Sequence, residues 1–143
     1  MSIKRKVLAY ITRGEVENRE LLVFEQKGHP DAGIQVPGGT IEDDELLIDA
    51  LYREIEEETG ISRNDLTLEG KLRKYLYFPE GRSGIHERNI FHLSYIGEDK
   101  SVWEHVVFGG GEDQGLTFCM RWIPLTNVPI LAGKQDDALD MII

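Results

Sequence analysis

The chain has 143 residues, of which 41% are apolar and 29% charged, a balance that suits one soluble folded domain over residues 1–143 with a single core. Its formal net charge of −10 argues against a broad nucleic-acid-binding surface, and so against a nucleic-acid polymer as partner. A small anionic ligand is still allowed, because a metal-loaded acidic site reverses the local field.

The N-terminal apolar run is short and is broken by Thr12 and Arg13, so residues 6–12 read as a strand, not as a signal peptide or membrane span. Residues 13–19 are a polar turn, and 21–25 read as the returning strand of a hairpin. A loop at 26–33 contains Gly28, Pro30 and Gly33, and a short strand at 34–36 stops at Pro37. Gly38 and Gly39 then read as a tight turn. Next comes a helix, with Leu46, Leu47, Ala50, Leu51 and Ile55 at amphipathic spacing. Asp43 and Asp44 are placed to cap its start and Gly60 to end it.

Downstream, residues 66–78 read as one long bent strand and 80–84 as a turn. Residues 87–96 read as a strand with Phe91, Leu93 and Tyr95 on one face. A further strand is expected at 102–108, a glycine loop at 109–111, and a strand at 117–123 closed by Pro124. Residues 136–143 read as a short terminal helix, whose Met141, Ile142 and Ile143 pack within the fold or at a homodimer interface. The lone Cys119 has no partner for an internal disulfide, which fits a reducing cytoplasm, and reads as core filler in its strand. Residues alone therefore give a mixed α/β domain without repeats or linkers.

The helix carries the chemistry. Turned by about 100° per residue, it places Glu54, Glu57 and Glu58 on the side of Leu47, Ala50 and Leu51, while Glu56 points to water. Three acids thus extend an inward-facing stripe. Partly buried together they raise one another's pKa, and a hard divalent cation such as Mg²⁺ or Mn²⁺ removes that conflict. Arg53 stands one turn before Glu57 and can hold its carboxylate. The bland reading is a solvated, salt-bridged face, the commonest fate of a Glu-rich helix.

Residues 39–61 tip the balance. Gly39, Glu45, Arg53, Glu54, Ile55, Glu57, Glu58, Gly60 and Ile61 reproduce without departure the pattern Gly, five residues, Glu, seven residues, Arg-Glu-aliphatic-any-Glu-Glu-any-Gly-aliphatic. This resembles the Nudix box. The resemblance covers 23 of 143 residues and implies an α/β/α sandwich with a mixed central sheet. It also implies metal-dependent hydrolysis of a diphosphate bond in a nucleoside diphosphate linked to another moiety. By the same resemblance Glu57 and Glu58 are the principal metal ligands, and Glu54 ligates metal or acts as general base. The backbone carbonyl of Gly38 or Gly39 supplies a main-chain ligand, Arg53 orients the glutamates, and Glu45 is mainly structural. The implied cofactor is Mg²⁺ or Mn²⁺, the partner a small nucleotide, with no membrane involved.

Outside the box, Glu112 in the glycine loop is the favoured extra metal-binding acid, with Asp113 and Glu104 as rivals. Arg82, His86 and Arg88 are candidate phosphate contacts, the latter two sharing a strand face. Tyr75, Tyr77 and Phe78 are aromatic candidates for a base, set against a packing role. His29, His92 and His105 show no metal-ligand spacing, and Trp103 and Trp122 read as packing residues. Two other functions are compatible with such a domain. One is a catalytically silent module that senses nucleotides, but it would be expected to lose box glutamates. The other is an isomerase of isoprenoid diphosphates, but it should need a cysteine near the pocket, and Cys119 lies far downstream. No Walker A segment is present, which excludes a P-loop NTPase.

Overall fold

The structure is a computed structural model and describes residues 2–81 and 84–143. Its strands are β1 (Ile3–Arg13), β2 (Glu20–Gln26), β3 (Gly38–Thr40), β4 (Leu66–Tyr77), β5 (Ile85–Tyr95), β6 (Val102–Val106) and β7 (Thr117–Pro124). Helix α1 spans Leu47–Thr59. The strands form one mixed seven-stranded sheet in the order β4-β5-β1-β2-β7-β6, with β3 added to β1. Among the described residues only β1 and β5 run parallel, over Ile3↔Ile85 to Thr12↔Ser94.

Alternation along β1 sorts the two cores. Val7, Ala9 and Ile11 face α1 and pack with Ala50, Leu51, Ile55, Phe91 and Leu93. Leu8 and Tyr10 face the other way and pack with Ile90, Leu125, Leu131, Ala138, Leu139 and Ile142. The C-terminal segment thus covers the face opposite α1. It does so as 3-10 turns at Ala132–Lys134 and Leu139–Met141, not as the expected terminal helix. Ala138 leaves helical geometry at φ −114°, ψ 9°, and the Tyr10 hydroxyl, which accepts from Ala138 N–H and donates to Gln135 C=O, holds the turns instead. Ile142 is buried in this core, whereas Met141 and Ile143 are exposed.

Three further expectations are corrected. Residues 34–36 contribute only an isolated bridge, Phe24↔Gln35. The neighbouring strand is Gly38–Thr40, at the place expected to be a tight turn, paired with β1 through Lys6↔Thr40 and Leu8↔Gly38. A Cβ on Gly38 would overlap the Val7 carbonyl and lie 2.6 Å from Leu8 Cδ2, so glycine allows this close pairing. The β1–β2 hairpin is paired only beside its turn, at Thr12↔Leu21 and Arg13↔Glu20, which leaves the rest of β1 free to receive β3. Cys119 is not core: it lies half-exposed opposite Glu25 and Glu104 on the outer side of β7, with its thiol 3.8 Å from Glu104.

Asp43 and Asp44 do not cap α1. Leu46 is the N-cap residue, without a side-chain cap, and Asp44 sits at φ 66°. The Glu45 carboxylate closes the turn instead, accepting from the Glu42 N–H at 3.0 Å. Gly60 ends the helix as expected, at φ 79°, donating its N–H to Glu56 C=O.

Candidate metal and phosphate site

The last two turns of α1 lie against β3, the start of β1 and the loop after β6. Together they line a cleft of about 480 Å³ that holds Glu54, Glu57, Glu58, Arg53, Lys6, Gly38, Gly39, Glu112 and Asp113. A larger and more open hollow, about 730 Å³ beside the turn before β2, contains none of the helix acids.

Arg53 organises the acids. Its Nε and Nη2 donate to Glu45 at 2.7 and 2.8 Å, and Nη1 donates to Glu54 at 2.8 Å and Glu57 at 3.3 Å. Nη2 also reaches the Thr40 carbonyl at 3.0 Å, which ties the helix to β3. The guanidinium fork thus joins the segment before α1 to acids on the helix, a geometry that lysine cannot reproduce. Hydrogen bonding from Arg53 holds the Glu45 carboxyl below the usual range. Glu45 is therefore the main anchor of Arg53 as well as the residue at the helix start.

The inner carboxylates behave differently. Burial pushes Glu54 up to about 7, against the opposing pull of Arg53. Burial pushes the Glu58 carboxyl well above its ordinary value; one oxygen accepts from Gly38 N–H at 2.8 Å, and the charges of Glu54, Asp113 and Glu57 raise it further. The side chains of Glu54 and Glu57 are each 14% exposed, so both reach the cleft while lying largely within protein. Glu56 points to solvent, as the helical spacing predicts.

Glycines make room for these groups. A Cβ on Gly39 would overlap the Glu54 carboxylate, and one on Gly109 would overlap that of Glu57. Gly109 also sits at φ 104°, which only glycine adopts readily. Two separate segments thus spare a side chain where a helix carboxylate stands. All the donors are hard oxygens, the chemistry of Mg²⁺ and Mn²⁺ sites. Among the described residues no three His, Cys, Asp or Glu side chains are already arranged to hold one ion. Glu54 and Glu57 are turned onto Arg53, and Glu58 onto Gly38. The donor set fits a divalent cation once Glu54 and Glu57 rotate from the guanidinium.

The extra acids separate. Glu112 and Asp113 both line the cleft, but Glu112 is exposed while Asp113 is half-buried, raised by burial, and acts on Glu58. Glu104 pairs with Lys27 at 3.3 Å on the β6 side and does not line the cleft.

A second cleft of about 540 Å³ adjoins the first and shares Lys6, Gly38, Gly39 and Glu58 with it. His86 and Arg88 line it, as does Tyr77, whose ring lies 3.6 Å beneath the Arg88 guanidinium. Arg82 lies outside the described residues. Tyr75 packs into the core opposite α1 and accepts a hydrogen bond from Arg88, and Phe78 is exposed. His92 bonds Thr12, His105 bonds the Glu57 carbonyl, and both tryptophans pack against the α1-side core.

Sequence reasoning overlooked Lys6, which donates to Thr40 Oγ1 at 2.6 Å and is lowered by burial. Its signal was present in the alternation of β1, which sets Lys4 and Lys6 on the face of Leu8 and Tyr10.

The family described as NUDIX domain matches residues 3–140 of this chain. The RNA pyrophosphohydrolase of Thioalkalivibrio sulfidiphilus is 36% identical over 63 residues, 44% of this chain, and the match spans only 36% of that relative's length. Among solved structures, a MutT NUDIX hydrolase from Burkholderia pseudomallei superposes with a TM-score of 0.70 at 20% identity, covering 100% of both chains. A UDP-X diphosphatase gives a TM-score of 0.69 at 16% identity, covering 99% of this chain and 62% of the other. At these identities the structural likeness shows a shared fold.

Proposed function

We propose, from the premise that this chain belongs to the NUDIX domain family, that it is a nucleotide pyrophosphohydrolase dependent on Mg²⁺ or Mn²⁺. On this reading residues 1–143 act as one domain that hydrolyses the diphosphate bond of a nucleoside diphosphate linked to another moiety. The observation that carries it is the meeting of Glu54, Glu57 and Glu58 at one cleft, with glycines at 39 and 109 giving them space.

In this reading Glu57 and Glu58 hold the cation, with the Gly38 or Gly39 carbonyl, Glu54 and an acid from the loop after β6. Asp113 is better placed than Glu112 for that last role, because it is the more buried and its charge reaches Glu58. The bound ion would neutralise pyrophosphate oxyanions and acidify the attacking water. Glu54, where it is not itself a ligand of the ion, stands in the cleft to accept the water proton. The water oxygen forms a new bond to phosphorus as the P–O–P bridge breaks, and the leaving phosphate keeps the bridging oxygen. Arg53 is a positioning residue that aligns Glu54 and Glu57 from its anchor on Glu45. Arg88 and His86 contact substrate phosphate from the adjoining cleft, and Arg82 is proposed alongside them.

A small nucleotide in the cytoplasm is the proposed partner, with no membrane and no nucleic-acid polymer, and a homodimer is the proposed assembly. Among the described residues no helix is long and apolar enough to cross a membrane. The curated relative is named an RNA pyrophosphohydrolase, so RNA belongs in the substrate panel as the test of the expectation that no nucleic-acid polymer is a partner. Retention of all three glutamates speaks against a silent sensor. The test is hydrolysis of nucleoside diphosphate derivatives with Mg²⁺ or Mn²⁺, beside Glu57→Gln. The variant should stay folded and lose most activity; equal turnover by the two proteins would refute the assignment.

A further inference from the structure

Substrate class is the question the cleft geometry takes furthest. In the parallel pair of β1 and β5, Lys4 stands beside His86 and Lys6 beside Arg88. Alternation puts all four on the face of Leu8, Tyr10 and Ile90. Adjacent strands lie about 4.8 Å apart and alternate residues of a strand about 6.6 Å apart. Four basic side chains therefore make a compact patch in a chain of net charge −10.

Arg88 is the unusual member. It is 6% exposed, donates to the Tyr75 hydroxyl at 3.2 Å and lies over the Tyr77 ring. Among the described residues no carboxylate forms an ion pair with it, and Asp137 takes its hydrogen bond from Tyr75 instead. A buried cation without a counter-charge is costly unless an anion visits it. Lys6 marks the border between the two clefts: it lines both, and the charges of Glu54, Glu112 and Asp113 act on it. The second cleft, which Lys6 and Arg88 themselves line, has a volume of about 540 Å³, within the range of small-molecule sites.

We propose that Lys6 and Arg88 form a polyphosphate subsite, so that this protein prefers nucleotides carrying three or more phosphates in a row over diphosphates bridged to a neutral sugar. The inference rests on the hydrolase reading above. The cleaved diphosphate, the two phosphates nearest the nucleoside, lies at the helix acids, and the third phosphate lies across Lys6 and Arg88 in the second cleft. A neutral moiety at that third position leaves Arg88 without its anion.

The experiment compares kcat/KM with Mg²⁺ for a nucleoside diphosphate, triphosphate and tetraphosphate of one base and for a nucleotide sugar. It uses the parent protein, Lys6→Gln and Arg88→Gln, each checked by thermal unfolding. The parent should favour the tri- and tetraphosphates by roughly 10-fold or more, and each variant should erase most of that preference. If Arg88→Gln does not fold, Lys6→Gln decides, since that side chain is only partly buried. A parent that cuts the diphosphate or nucleotide sugar as well as the longer chains overturns the subsite. So do variants that slow every substrate by one factor, the mark of a purely structural role. Failure to cut any of the four overturns the hydrolase reading itself, and the subsite with it.

Discussion

Replacing Gly38 and Gly39 by alanine, one at a time, should separate fold from chemistry. At Gly38 the new Cβ meets backbone: it overlaps the Val7 carbonyl and lies 3.3 Å from Leu8 Cα. β1 cannot yield there without losing its pairing, and overpacking of this kind costs about 1–3 kcal/mol. For a domain of this size that lowers Tm by roughly 2–12 °C. At Gly39 the three atoms nearest the Cβ all belong to the Glu54 carboxylate, the far end of a flexible side chain. Swinging it away breaks the 2.8 Å bond from Arg53, a loss of about 1.5–3 kcal/mol. It also relieves the burial that pushes this carboxyl up, an effect of the opposite sign, so Tm should stay within about 4 °C of the parent. The displaced carboxylate no longer faces the cleft, and kcat/KM should fall roughly 100-fold. Thermal unfolding, Mn²⁺ titration and a hydrolysis assay read the two variants. Parental metal affinity and turnover in Gly39→Ala, or parental stability in Gly38→Ala, would refute the reasoning.

Other expectations follow from the same cluster. Arg53→Ala leaves Glu45, Glu54 and Glu57 without their shared cation and should destabilise the protein by about 3–5 kcal/mol. Arg53→Lys should recover little of this in denaturant unfolding, because an ammonium cannot span Glu45 and Glu54 together; full recovery would show that charge alone suffices. The Glu54 carboxyl is raised in the folded state, so without metal its contribution is fully present below about 4.5 and is lost as pH rises towards 7. Unfolding curves of the metal-free parent minus Glu54→Gln should therefore decline between those values, and a rising difference would reverse the sign of the argument. Gly109→Ala combines overlap with the Glu57 carboxylate and a φ of 104°, so it should weaken both Tm and Mn²⁺ affinity, whereas an open loop glycine such as Gly111 should tolerate alanine in both assays.

Helix α1 and its acids were legible in the sequence because a 3.6-residue period is local. Burial of Glu54, Glu57 and Glu58, exposure of Glu56 and the stop at Gly60 all follow from positions along one element. The family resemblance added roles that periodicity cannot. Features made by distant segments were harder to see. β3 has two glycines in three residues and so no alternation to read; its strand character comes from β1. Cys119 looks like core filler until β2 and β6 bring Glu25 and Glu104 alongside it. The terminal segment carries a helical apolar pattern, but the non-helical Ala138 and its bond to the Tyr10 hydroxyl settle it into 3-10 turns. Lys6 joined the site only through its register with Thr40 and Arg88. Glu45 was read as a helix-start residue, whereas its two-oxygen grip on Arg53 depends on how the turn before α1 folds back.

The claim under all of this is that the carboxylates ending α1 hold a divalent cation. Anomalous scattering from a crystal soaked in Mn²⁺ tests it most directly. A peak among the Glu54, Glu57 and Glu58 oxygens, with Arg53 withdrawn from Glu54, is the predicted result. A manganese peak elsewhere with those carboxylates still on Arg53 and Gly38 would contradict it.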